Sequence, residues 1–118
     1  MTATAPTTEQ GVQERPEVRV ASLEEIPEGE GRTYVVEGEQ VAVFRHRSGR
    51  VSAVQATCPH SGGPLADGQI DERFVVCPLH LFAWDLATGE STSGQPPVRV
   101  HPCRVGADGS VVVGGAER

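Results

Sequence analysis

Turn signals recur so often along this chain that every regular run between them is short. β-like stretches occupy residues 18–21, 33–36, 40–45, 50–56, 74–76, 81–84, 98–100, 103–105 and 110–113. Glu37-Gly38-Glu39 and Arg47-Ser48-Gly49 are hairpin-sized connections, and Ala107-Asp108-Gly109 is a tight-turn signal before the final run. Only residues 22–26 carry a helical pattern, with Ser22 placed to cap it, and Pro27 stops it within about one turn. Many short strands punctuated by glycine and proline predict an all-β fold, a small antiparallel sandwich or barrel. At 118 residues the chain is one domain, long enough to bury a core without disulfides.

Charge and hydropathy exclude several functions. The net charge is −6, with nine acids and three arginines in residues 1–39 and a balance of zero over the remainder. No basic stripe exists for a nucleic-acid backbone to follow, so a nucleic-acid partner is not expected. No window approaches the ~18 uninterrupted apolar residues of a membrane span, so no membrane association is expected either. Residues 1–17 are rich in Thr, Glu, Gln and Pro and read as a disordered lead-in. They carry neither a secretory nor a twin-arginine signal, and the expected location is cytoplasmic.

One segment does not fit a simple meander. Thr57-Cys58-Pro59-His60-Ser61-Gly62-Gly63-Pro64-Leu65 is followed by Cys77-Pro78-Leu79-His80, with sixteen residues between His60 and Cys77. Each arm offers one thiolate and one imidazole, and each places a proline directly after its cysteine. Proline fixes φ and removes a backbone donor, so both arms are stiff. The strand-like residues 69–70 and 74–76 between them can hold the two loops side by side. Two cysteines and two histidines in paired arms point to a metal site. Zinc is one reading, since such a set makes a tetrahedral structural site. Zinc sites, however, usually group like ligands, whereas each arm here is mixed.

The arms resemble the Cys-x-His…Cys-x-x-His motif of the Rieske [2Fe–2S] family. The resemblance continues through Gly62-Gly63-Pro64-Leu65, Val75-Val76-Cys77-Pro78 and Trp84-Asp85-Leu86-Ala87-Thr88-Gly89-Glu90, and is strongest to soluble Rieske-type ferredoxins. It implies a Rieske-type antiparallel β sandwich over residues 18–114, with a small cluster-binding subdomain near 57–85 and a tail at 115–118. It implies one [2Fe–2S] cluster per chain, with Cys58 and Cys77 on the inner iron and His60 and His80 on the outer iron. Two ferric ions, two sulfides and two thiolates sum to zero, and reduction brings the site to −1. A four-thiolate site would go from −2 to −3, so histidine ligation raises the potential.

Within the family, respiratory Rieske proteins carry a loop disulfide, and the matching positions here are Gly63 and Leu79. Their serine and tyrosine donors correspond to Phe82 and Trp84, which lack hydroxyls. Both departures imply the low-potential end of the range. Where the family usually has glycine after the second histidine, this chain has Leu81, which any positive φ would strain. Relatives among nitrite reductase small subunits tolerate larger residues there. The implied role is one-electron transfer from a ferredoxin reductase to a terminal oxygenase, with no catalysis of its own. The alternatives are a fixed small subunit beside the large subunit of a nitrite reductase-type complex, and a structural zinc domain.

The remaining chemistry-bearing residues read as structural. Cys103 is the leftover thiol, expected buried and inert. His46, between Arg45 and Arg47, and His101 are expected at the surface. Trp84 is expected in the core beneath the ligand loops, and Pro64 and Gln95-Pro96-Pro97 read either as braces for those loops or as plain turn residues. No phosphate-binding glycine loop, nucleophile elbow or paired-carboxylate site stands out.

Overall fold

The computed structural model describes residues 13–59, 62–79 and 81–117. It is built almost wholly from antiparallel strands: β1 (Gln13–Ser22), β2 (Gly31–Val36), β3 (Glu39–Arg45), β4 (Val51–Gln55), β5 (Gln69–Ile70), β6 (Phe74–Val76), β7 (Ala83–Asp85), β8 (Val100–His101), β9 (Cys103–Val105) and β10 (Ser110–Glu117). Three sheets result, ordered β1-β10-β9, β2-β3-β4-β8 and β5-β6-β7. The expected helix at 22–26 is a single 3-10 turn, Leu23–Glu25, and Ser22 makes no side-chain cap.

The four-stranded sheet is the middle layer. On β3, Val41 and Val43 join one core with Ile26, Val36, Ala53, Val111 and Val113. Ala42 and Phe44 join a second core with Val54, Leu65, Val75, Trp84, Leu86 and the two arm cysteines, Cys58 and Cys77. Successive strand residues face opposite sides of a sheet, so this division is the pleat itself. Both faces of β3 are covered, one by β1-β10-β9 and the other by the β5-β6-β7 unit. A strand buried on both faces reads as a continuous apolar run, and Val41-Ala42-Val43-Phe44 is one.

Three expectations change. β1 starts at Gln13, so residues 13–17 of the expected lead-in lie in a strand; Gln13, Glu14 and Arg15 pair with Glu117, Ala116 and Gly115 of the expected tail. Backbone pairing there needs no apolar side chains, which is why composition missed it. The expected strand at 81–84 begins two residues later, because Leu81 has a left-handed backbone (φ +63°) that no ladder accommodates. His46 and His101 are buried, not at the surface.

His46 shows how the ligand-bearing unit is attached. Its Nδ1 lies 3.1 Å from the Asp71 carbonyl, and its Nε2 lies 2.7 Å from Ser52 Oγ. A carbonyl only accepts, so Nδ1 carries the hydrogen and the Ser52 hydroxyl donates to Nε2. Around it, the Ser48 hydroxyl donates to Glu72 (2.8 Å), and Arg50 donates to the Glu72 carbonyl and carboxylate. The β3–β4 turn thereby clasps the β5–β6 turn.

Candidate metal centre

The two arm cysteines sit in loops of the same local design. In the first, the Cys58 amide donates to the Gly63 carbonyl (2.8 Å) and the Gly62 amide donates to the Cys58 carbonyl (2.7 Å). In the second, the Cys77 amide donates to the Phe82 carbonyl (2.8 Å) and the Leu81 amide donates to the Cys77 carbonyl (3.0 Å). The fourth residue after each cysteine has positive φ, +76° at Gly62 and +63° at Leu81. Proline follows each cysteine, and each loop is closed at its neck by strand pairing, Thr57 with Pro64 and Val76 with Ala83. The twin turns were not legible in the differing Cys-x-His and Cys-x-x-His spacings. The signal for them is the shared Cys-Pro step.

The loops bring their cysteines into one apolar cluster. Cys58 is 3% exposed and Cys77 fully buried, and both pack in the core that contains Trp84 and Leu65. The three cysteines form no disulfide. The loops touch at Gly63, where a methyl group would sit 2.8 Å from Leu79 Cδ1 and 3.5 Å from Cys77 Sγ. Residues 51–66 and 74–84 contain no Asp, Glu or Arg, and the charged neighbours of the loops come from outside them: Asp67 beside Cys77, Pro78 and Leu81, and Glu39 and Arg99 beside Thr57. His60 and His80 lie outside the described residues. Among the described residues, no group of three or more His, Cys, Asp or Glu side chains is gathered to hold a metal.

Behind the loops, Trp84 is fully buried, as expected, and its indole N–H donates to the Pro96 carbonyl (2.9 Å). Asp85 ends β7 and accepts from the Ala87 and Thr88 amides and from Arg73 Nε. Burial pushes its carboxyl pKa up, but the Arg73 contact and the two amides outweigh this and hold it below the ordinary range. Cys103 stands apart from the loops, packed against the other core, and burial pushes its thiol up to about 12. It is protonated at neutral pH and inert as a nucleophile.

Two buried soft donors on rigid twin loops, packed in an apolar cluster, suit a site that binds through thiolates. Comparison with known proteins identifies the class. The sequence profile of the Rieske [2Fe–2S] domain matches residues 17–104. The chain belongs to the Rieske [2Fe–2S] domain family, and the cofactor of that family is a binuclear iron–sulfur cluster. It is 32% identical over 90 residues to the ferredoxin component of the naphthalene 1,2-dioxygenase system of Pseudomonas aeruginosa, covering 75% of this chain and 86% of that one. It is 32% identical over 96 residues to the anthranilate 1,2-dioxygenase ferredoxin subunit of Burkholderia cepacia, covering 80% and 87%. Among solved structures it is similar to one assigned as the small subunit of an NADH-dependent nitrite reductase from Mycobacterium tuberculosis, with a TM-score of 0.79, 27% identity, and coverage of 87% and 96%. It is also similar to the ferredoxin of carbazole 1,9a-dioxygenase from Nocardioides aromaticivorans IC177, with a TM-score of 0.74, 30% identity, and coverage of 84% and 97%. No helix among the described residues is long and apolar enough to cross a membrane.

Proposed function

We propose that this chain is a Rieske-type ferredoxin, a one-electron carrier that takes electrons from a ferredoxin reductase and passes them to a terminal oxygenase in the cytoplasm. Cys58 and Cys77 hold the inner iron through their thiolates, and His60 and His80 hold the outer iron through their imidazoles. The observation that carries this reading is the pair of matching Cys-Pro loops that bury two cysteines in one apolar cluster. When bound, the cluster supplies reversible one-electron chemistry. The chain's own residues place and shield it. The internal hydrogen bonds of each loop fix the cysteine backbones, and Val75, Trp84 and Leu65 exclude water from the sulfur side. No hydroxyl stands at position 82 or 84 to donate to sulfur, which keeps the reduced form less stabilised.

The test is anaerobic reconstitution of the full chain. Two irons and two sulfides per chain, a coloured product and an EPR signal after dithionite are expected. Cys58→Ala and Cys77→Ala should each abolish the colour. A colourless product holding one zinc and no acid-labile sulfide would support the structural zinc reading instead.

A second reading is favoured by one observation. Leu79 and Leu81 are 56% and 74% exposed beside the second cysteine, as suits a face permanently covered by a larger chain. In that case the domain is the small subunit of a nitrite reductase-type complex. A carrier purifies alone as a monomer, whereas a subunit co-purifies with a large sirohaem-containing chain.

A further inference from the structure

We infer that Leu79 is a positioning residue that keys the two ligand loops together by seating on Gly63, and so sets how firmly the cluster is held. The inference rests on the cluster-binding reading above. Three observations carry it. First, Gly63 is buried and is not among the glycines with positive φ, so turn geometry does not demand glycine there. Its place is filled by the neighbour: a methyl group at Gly63 would lie 2.8 Å from Leu79 Cδ1 and 3.0 Å from Leu79 Cγ, so Leu79 would have to move off to admit it. Second, Leu79 is an aliphatic side chain on an exposed loop, where a polar residue would be equally compatible with the turn. The part of it that is not exposed rests across the other loop. Third, the contact lies directly over the ligand: the same methyl position is 3.5 Å from Cys77 Sγ.

The two loops share one backbone pattern but have opposite side-chain sizes. The first carries Gly62 and Gly63, and the second carries Leu79 and Leu81. Across the seam Gly63 faces Leu79, and this one complementary contact joins the loops where no covalent bridge does. Dispersion and burial at a single point are modest, but they act on two loops whose separation decides whether both thiolates reach one cluster. Loosening the seam therefore acts on ligand placement and leaves the two cores beneath it intact.

The experiment uses the reconstituted, cluster-bearing full chain. Release of iron to a chelator is timed for wild type, Leu79→Ala, Gly63→Ala, the double variant and Leu79→Met. Hydrogen exchange of the peptides covering 57–64 and 77–83, the EPR g-values and the midpoint potential are recorded in parallel. Leu79→Ala is expected to release iron about tenfold faster, the scale of losing roughly half of a leucine's burial. It should also raise exchange in both loops and shift the g-values. Gly63→Ala unseats Leu79 and should act in the same direction, while Leu79→Met stays near wild type. The double variant should be no worse than Leu79→Ala alone, because the new methyl occupies the vacated notch. Two single effects that multiply independently would overturn the inference, as would a Leu79→Ala protein with wild-type release, exchange and g-values. If the wild-type chain takes up no cluster, the cofactor reading itself fails, which separates the two failures.

Discussion

At the scale of single residues, backbone strain stands at a ligand arm. Leu81 is 74% exposed and holds φ +63°, a conformation that costs an L-residue about 1–2 kcal/mol. Gly62 occupies the equivalent place in the other loop without that cost. Leu81→Gly and Leu81→Ala both remove the side chain, but only glycine relieves the backbone. The glycine variant should therefore be the more stable of the two by about 1 kcal/mol, or about 4 °C in melting temperature. His46 gives a second residue-level expectation. Burial, aided by the Arg50 guanidinium, holds its pKa below the ordinary value, and the nearby Glu72 carboxylate only partly opposes this. The unfolded chain then takes a proton at this histidine before the folded one does. Stability is fully present above about pH 6.5, the pKa of a free histidine, and falls as pH drops below it. His46→Gln should flatten that slope between about pH 5 and 7, compared as melting temperatures of the two proteins. Neither residue's state was legible in the sequence. Leu81 was suspect from the glycine expected there, but its φ is set by a loop closing on Cys77. His46 looked exposed because arginines flank it, and its burial comes from a turn some 25 residues away.

At the scale of elements, legibility followed the period of the apolar pattern. β3, β6 and β9 were readable because their runs are bounded by turn residues and stay within one element. β7 was displaced because Leu81 and Phe82 belong to a loop, although their composition is that of a strand. The twin turns became visible only through backbone hydrogen bonds, which leave no mark on spacing. Within residues 95–97, the Pro96 carbonyl accepts from the Trp84 indole on β7. Trp84→Phe removes that donor and part of a fully buried ring. It should lower stability by about 2 kcal/mol, seen as an earlier melting transition with the cluster still bound.

At the scale of the whole molecule, the sandwich is the support and the far unit carries the candidate ligands. The two are joined through the middle sheet and through the clasp at His46 and Glu72. That division explains why the candidate ligands were easier to read than the shape around them: thiol and imidazole side chains are rare, whereas layer packing is a property of the assembled chain. With no hydroxyl donor at position 82 or 84 and no loop disulfide, a redox titration of the reconstituted protein should give a midpoint near about −150 mV, the low end for this cluster type.

The bare tip, where residues 51–66 and 74–84 hold neither acid nor arginine, has one more consequence. Loops that bring no fixed charge of their own, with Asp67 as the acid beside the second one, have little ionic atmosphere to shed when something lands on them. Electrolyte that would loosen a lock of opposite charges acts on such a contact only weakly. Cold, which weakens the attraction between oily surfaces in water, is what would undo it.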